Sequence, residues 1–512
     1  MQMLQTIREI LATPAILVGF IVFVGLVLQK KPVDHVIKGT VTALVGFVML
    51  SVGSEFLQNG ALKDFGELFQ YDFHIRGVIP NMEVVSAFGI QEYATTVSEM
   101  MILGMAVNLL LAKFGPRPYI FLTGHHTLYM ASLLTVVLYA GEMSGWQILI
   151  TGSLLLGALM TYLPAMMQKE MVRVTGNDRI ALGHFSIVGY LIAAKVGALM
   201  GENKTEQQQT EQQEAAETKK KSAEDVKFPA KLSFMRDSTV GIFLVMTVIF
   251  LLLTGLAVHG TDLAELSISY KSGGYQNWII YAVIQGAKFS VGIYIILAGV
   301  RLIIAEIVPA FKGIAAKIVP DAKPAVDCPV LFSYAPNAAM IGFLMSFFGG
   351  ILTMACLIGM NAVRGDLLLP VIVPGVAAHF FCGGSAGVFA NARGGLKGCL
   401  IGAFVHGIIL SLLALAVMPV IGNLNLSGTS FSDSDFCIVG IFIGNLGTLC
   451  SGYMMLALSV LGVAAPVIWE KIKNKDNLSC ENKEVAYKER VSSGIRFLLL
   501  PSIRQKGPVD LF

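Results

Sequence analysis

Residues 180–200, IALGHFSIVGYLIAAKVGALM, are long and apolar enough to cross a bilayer. Whether they cross decides the fold. The segment that follows carries Lys204 and the cluster Lys219, Lys220 and Lys221; the segment before carries Lys169, Arg173 and Arg179. Short basic loops stay on the cytoplasmic side of a membrane protein. Both flanks therefore belong on one side. Residues 180–200 read as a re-entrant or interfacial segment that does not span. Non-helical backbone at membrane depth is tolerated only where it is buried in protein or lines a cavity.

The rest of the chain supports that setting. Of its 512 residues, 55% are hydrophobic and 14% charged, against about 25% charged in soluble domains. Mean hydropathy is +0.70. Apolar runs recur at 12–29, 36–53, 92–112, 118–139, 146–166, 238–259, 277–300, 337–360, 367–389, 398–421 and 437–468. Lys30, Lys31 and Lys38 follow the first run, and the tail after 470 is rich in Lys and Arg. Placing both inside requires an odd number of spans, and eleven satisfies it. The N-terminus is then outside and the C-terminus cytoplasmic. No A-x-A-like cleavage site follows the first run, so it reads as a retained helix.

Two more segments read as re-entrant: 60–91, with Gly77 and Pro80, and 321–336, with Pro324, Pro329 and Pro336. The outer loop 421–436 holds Asp433 and Asp435 and no basic residue. Residues 201–236 hold seven acidic and seven basic residues among many glutamines, a composition that cannot bury apolar surface. The expected organisation is an N-terminal membrane half (1–200), a flexible cytoplasmic linker (201–236), a C-terminal membrane half (237–468) and a cytoplasmic tail (469–512).

The net charge of +3 argues against nucleic-acid binding, and the seven cysteines contain no C-x-x-C pair. They read as small buried hydrophobes. CGGSAGVFANARGGLKG (382–398) matches no phosphate-binding loop and reads as close helix packing through small residues.

Ionisable groups at membrane depth usually face a cavity or a partner. Four places stand out: Thr123-Gly124-His125-His126-Thr127, Gly183-His184, Asp327, and Glu306, which sits near Arg301. Neutral imidazole both donates and accepts hydrogen bonds, and Asp327 adds a strong acceptor, so the set suits a polyhydroxylated ligand. Adjacent helical residues point about 100° apart. One of His125 and His126 is therefore expected to face a cavity, and the other to pack. His35, His74, His259, His379 and His406 read as structural. No H-x-x-x-H or H-E-x-x-H spacing supports a metal site, and no cofactor is expected.

Taken in order, LTGHH (122–126), LGHF (182–185), RLIIAEIVPAFKGI (301–314), DCPVLFSYAPNA (327–338) and GVFANARGGLKG (387–398) resemble the ascorbate-type IIC permease of the bacterial phosphotransferase system. The second apolar run, from 37 to 57, is also similar. The resemblance extends from about 14 to 468. It implies an all-α polytopic homodimer in the bacterial inner membrane, with eleven transmembrane helices per chain, re-entrant segments, an elevator-type core and a dimerisation scaffold. It implies uptake of a sugar or sugar acid that separate IIB and IIA proteins phosphorylate, so this chain carries no phosphoryl-transfer residue.

Carried over residue by residue, the binding positions are His125, His126, Thr127, Leu128 and Tyr129; His184 and Phe185; Asp327; and Met82 with Glu83. Ascorbate permeases carry glutamines where Tyr129 and Phe185 stand, and Thr-Tyr where Met82-Glu83 stand. The substrate implied is thus ascorbate or a related compound. Two other readings stay open. One is a proton- or cation-coupled secondary transporter with Asp327 and His184 as its relay. The other is a non-transporting membrane scaffold or sensor.

Overall fold

The computed structural model describes residues 14–74, 76–201, 221–226, 237–364, 369–421 and 428–468. They fall in two compact units, 1–459 and 460–512. Of the second, residues 460–468 are described and helical.

Helices α1 (Pro14–Leu28), α2 (Val33–Leu57) and α3 (Lys63–Phe73) open the chain. Strand β1 (Gly77–Pro80) leads into α4 (Met82–Phe114), and β2 (Tyr119–Phe121) into α5 (Gly124–Ala140) and α6 (Gly145–Thr175). Strand β3 (Ala181–Leu182) precedes α7 (Ile187–Met200). The second half runs α8 (Ser238–Gly260), α9 (Trp278–Ile318), β4 (Lys323–Val326), α10 (Pro336–Arg364) and β5 (Val371–Ile372). It ends with α11 (Gly384–Ile421), β6 (Thr429–Ser430), α12 (Ser434–Leu449) and the apolar helix Gly452–Ile468.

Among the described residues, six helical stretches are long and apolar enough to cross a membrane: Thr95–Phe114, Gly145–Thr175, Thr239–Gly260, Trp278–Ile295, Pro336–Arg364 and Val376–Ile421. The chain is a multi-pass helical membrane protein.

The segments expected to be re-entrant contain backbone that the hydropathy pattern did not resolve. Residues 60–91 contain α3, β1 and the start of α4, which is helical from Met82 and kinks at Tyr93 (φ −126°) rather than beginning at 92. Residues 321–336 contain β4 and a 3₁₀ turn, Cys328–Ser333. Within 180–200, α7 has 14 residues, which rise about 21 Å, short of a hydrocarbon core of about 30 Å. Residues 367–389 are not one helix. β5 gives way to a turn at Val376–Ala378, a π-turn at His379–Gly383, and then α11.

The six strands form two small parallel sheets, which an all-α expectation omits. In one, β1 of the N-terminal half lies between β5 and β6 of the C-terminal half, with Gly77 opposite Val371 and Ile79 opposite Thr429. In the other, β4 lies between β2 and β3, with Ile120 opposite Pro324 and Ala181 opposite Ala325. Each half thus supplies the central strand of one sheet and both edges of the other. Buried backbone that leaves helical geometry must still pair its N–H and C=O groups, and these ladders supply partners. Asn108 of α4 secures β2 from the side: its Nδ2 donates to Tyr119 O (3.0 Å) and Thr161 Oγ1 (2.8 Å), and its Oδ1 accepts from Phe121 N (3.1 Å).

Glycines allow the halves to approach. Gly395 adopts φ +63°, ψ −154° inside α11, a region essentially reserved for glycine. At Gly394 a β-carbon would lie 1.9 Å from the Gly197 carbonyl oxygen. The 382–398 run therefore packs closely, as its small residues suggest.

Part of the linker is anchored. Ala223 N donates to Asn391 Oδ1 (2.9 Å), Leu396 N to the Lys221 carbonyl (2.8 Å), and Ala338 N to Glu224 Oε1 (2.8 Å). Glu224 thereby caps the first turn of α10, whose N–H groups have no partner within the helix. Within the expected linker, residues 221–226 are thus hydrogen-bonded to α10 and α11. The rest of the linker, the tail after 468 and the side chains of Arg301 and Glu306 lie outside the described residues.

Candidate functional site

Each strand leads within a few residues to side chains that line one cavity of about 140 Å³. After β1 come Met82 and Glu83; after β2, His125, His126 and Tyr129; after β3, His184. After β4 comes Asp327; after β5, Ala377, Ala378 and Phe381; after β6, Ser432 and Asp433. In open α/β sheets, too, ligands lie beyond the carboxyl ends of parallel strands. The same turns start helices. Asn81 caps α4, with Oδ1 accepting from Val84 N at 2.9 Å. Asp433 is the N-cap of α12, and Asp327 caps the 3₁₀ turn by accepting from Cys328 N at 2.7 Å.

His125 Nε2 stands 3.5 Å from Asp327 Oδ2, and His184 Nε2 stands 3.8 Å from Asp433 Oδ2. Both exceed ordinary hydrogen-bond length. The other ring nitrogen of His184, Nδ1, lies 3.1 Å from the Tyr190 hydroxyl. The His126 ring centroid is 4.0 Å from that of His184 and 4.6 Å from that of His125. The Nδ1 atoms of His125 and His126 and the Tyr129 hydroxyl are buried without a hydrogen-bond partner. An unsatisfied buried polar group costs roughly 1–3 kcal/mol, so a hydroxyl-bearing ligand in the cavity would gain by supplying the missing bonds.

Of the ten positions singled out in the sequence, seven line the cavity: Met82, Glu83, His125, His126, Tyr129, His184 and Asp327. Three do not. Thr127 donates to the Thr123 carbonyl, Leu128 is buried in the core, and Phe185 stacks on Phe121 with ring centroids 4.9 Å apart. His126 corrects the expectation that one histidine of the pair packs away. The cavity wraps the first turn of α5, so successive residues both reach it. His406 and His379 do not line the cavity. One stacks on Tyr190, and the other bonds Ser346 through Nδ1 (2.8 Å).

Asp433 is the residue the sequence reading missed. Taken as an outer-loop charge, it is 4% exposed, and its neighbour Asp435 is 1% exposed. Asp435 accepts from Ile187 N (2.7 Å) and Val188 N (2.9 Å), capping α7. The signal was present in FSDSDF at 431–436, where Ser and Asp precede an apolar run as N-cap residues do. The groupings His125–His126–Asp327 and His126–His184–Asp433 could also hold a cation, with their donor atoms within 4.8 Å of one another.

A family model described as EIIC-GAT, the PTS system sugar-specific permease component, matches residues 9–435. The chain belongs to this permease family. The permease is also 25% identical over 454 residues to the ascorbate-specific PTS system EIIC component of Mycoplasma pneumoniae. That match covers 81% of this chain and 66% of the relative, so the permease spans slightly under two thirds of the relative's length. Several residues singled out by the sequence resemblance, from both halves of the permease, thus share one cavity.

Proposed function

We propose that this permease is the membrane-embedded IIC component of a phosphotransferase system. It takes up a sugar or sugar acid, ascorbate or a related compound, for phosphorylation by a separate IIB protein supplied by IIA. The observation that carries this reading is the cavity where the ends of six strands bring together three histidines and Asp327. Imidazoles and a carboxylate suit hydroxyl groups. Eleven spans, an outside N-terminus, a cytoplasmic C-terminus, a bacterial inner-membrane location, an elevator-type core and a homodimeric scaffold belong to the same proposal.

The test is uptake of a radiolabelled panel of sugars, sugar acids and ascorbate in cells with and without the cognate IIB. Phosphorylated product that accumulates only with IIB supports the reading. A second reading, a proton- or cation-coupled carrier, draws on the buried His184–Asp433 pair. Uptake of unmodified substrate without IIB, abolished by collapsing the proton gradient, would establish it instead.

A further inference from the structure

His184 Nε2 and Asp433 Oδ2 stand 3.8 Å apart, where an ordinary N–H···O bond ends near about 3.2 Å. Zinc binds nitrogen and oxygen at about 2.0–2.2 Å in a tetrahedron, which sets its ligand atoms about 3.3–3.6 Å apart. The pair is thus too wide for a good hydrogen bond and close to the span of two ligands on one metal. We propose that His126, His184 and Asp433 form a zinc site, with the fourth coordination position open to the cavity.

The three side chains are already arranged for it. Their donor atoms lie within 4.8 Å of one another, and the residues are 3%, 2% and 4% exposed. Metal-binding imidazoles and carboxylates are normally oriented by an outer hydrogen-bond partner on the atom that does not touch the metal. The Tyr190 hydroxyl lies 3.1 Å from His184 Nδ1, so Nε2 is the nitrogen turned to Asp433. The Ser432 hydroxyl donates to Asp433 Oδ1 at 2.9 Å, so Oδ2 is the oxygen turned to His184. Asp433 is the N-cap of α12, yet its side chain makes no cap bond to the helix. The His126 ring centroid is 4.0 Å from that of His184, and its Nδ1 is buried without a hydrogen-bond partner. The alternative grouping, His125–His126–Asp327, is more open to water, with the Asp327 side chain 34% exposed and one of its oxygens accepting from Cys328 N.

Two imidazoles and one carboxylate with a vacant fourth position are the donor set of an open zinc site. Calcium and magnesium prefer oxygen ligands throughout, whereas imidazole suits zinc. A buried carboxyl needs either a proton or a cation, and among the described residues no lysine or arginine lines this cavity. The ligands follow β2, β3 and β6, so no local spacing in the sequence could display the site. His126 and His184 come from the N-terminal half and Asp433 from the C-terminal half. A bound ion would join the two.

The experiment uses the full chain in lipid nanodiscs, free of affinity-tag histidines and stripped with a chelator. Zinc binding is measured by titration calorimetry, the coordination shell by X-ray absorption at the zinc edge, and stability by thermal melting. The expected result is one tight site per chain, two imidazoles in a shell of nitrogen and oxygen at about 2.0–2.2 Å, and a melting temperature that rises with zinc. D433N and H184Q are each expected to weaken that site tenfold or more. H35Q, which removes an exposed histidine on α2, is expected to leave it unchanged. A tight site that survives D433N and H184Q overturns the proposal, as does the lack of any tight site. Where a variant fails to fold, the wild-type spectrum decides: a shell without two imidazoles overturns the assignment. None of these readouts depends on the carbohydrate or on IIB, so the permease reading and the metal site stand or fall separately.

Discussion

Asp435 of α12 holds the N-terminus of α7 with its carboxylate: Oδ2 accepts from Ile187 N at 2.7 Å and Oδ1 from Val188 N at 2.9 Å. Ser434 adds a third bond, its Oγ accepting from Gly189 N at 3.0 Å. This clamp fixes the entry to α7, and His184 lies just before it. Asp435→Ala should leave two buried N–H groups unpaired, at roughly 1–3 kcal/mol each. A lowered melting temperature in detergent, with faster proteolysis near 183–190, is the expected outcome. An unchanged melt would show that the clamp contributes nothing.

Asp327→Asn should weaken substrate binding roughly 10- to 150-fold, the loss of a charge-assisted bond of about 1.5–3 kcal/mol. The protein should still elute as a single species on size exclusion. Near wild-type affinity would remove Asp327 from the site.

Gly395→Ala should destabilise the protein by about 1–3 kcal/mol, because φ +63° with ψ −154° is closed to a residue with a β-carbon. The matched control is Gly359→Ala, where a β-carbon meets nothing within 4 Å. Equal melting temperatures for the two variants would contradict the assignment.

A single cysteine introduced at any of 205–218, in a background without the native cysteines, should react with a membrane-impermeant maleimide only from the cytoplasmic side. Labelling from outside would mean that 180–200 spans and that the orientation of the N-terminal half is wrong.

Asp178, in the loop after α6, is held below its ordinary value of 3.8 chiefly by its hydrogen bond from Lys323, with a second from Gln168. A depressed folded-state value stabilises above the unfolded one and is lost as pH falls through the folded one. The pair is largely exposed, so the effect is small. Any melting difference between wild type and Asp178→Asn should be present at neutral pH and vanish toward acid pH below 3.8. A difference that grew on acidification would have the wrong sign.

The long helices were legible because runs of about 20 apolar residues carry their own signal, and LTGHH, LGHF and DCPVLF marked His125, His184 and Asp327. The strands were not. With two to four residues each, they are too short to show a period of two, and their partners lie in the opposite half. Asp433 was hidden for a related reason. In a one-dimensional reading it sits in a polar loop beside Asp435, and only the return of β6 against β1 brings it in beside His184. Phe185 went the other way: adjacent to a cavity histidine, it turns into the core and stacks on Phe121.

The interleaved strands also bear on how the molecule is born. Ile79 pairs with Thr429, 350 residues later in the chain. At about 5–20 residues per second, β1 waits roughly 20–70 s for that neighbour to leave the ribosome. During the wait the first half has no β5 or β6 to complete its sheet. Once paired, β1 and β4 lock the halves together like crossed fingers. Swinging one half away from the other would unzip both ladders at the cavity mouth. A rearrangement that kept both ladders paired would carry the two sheets as one body.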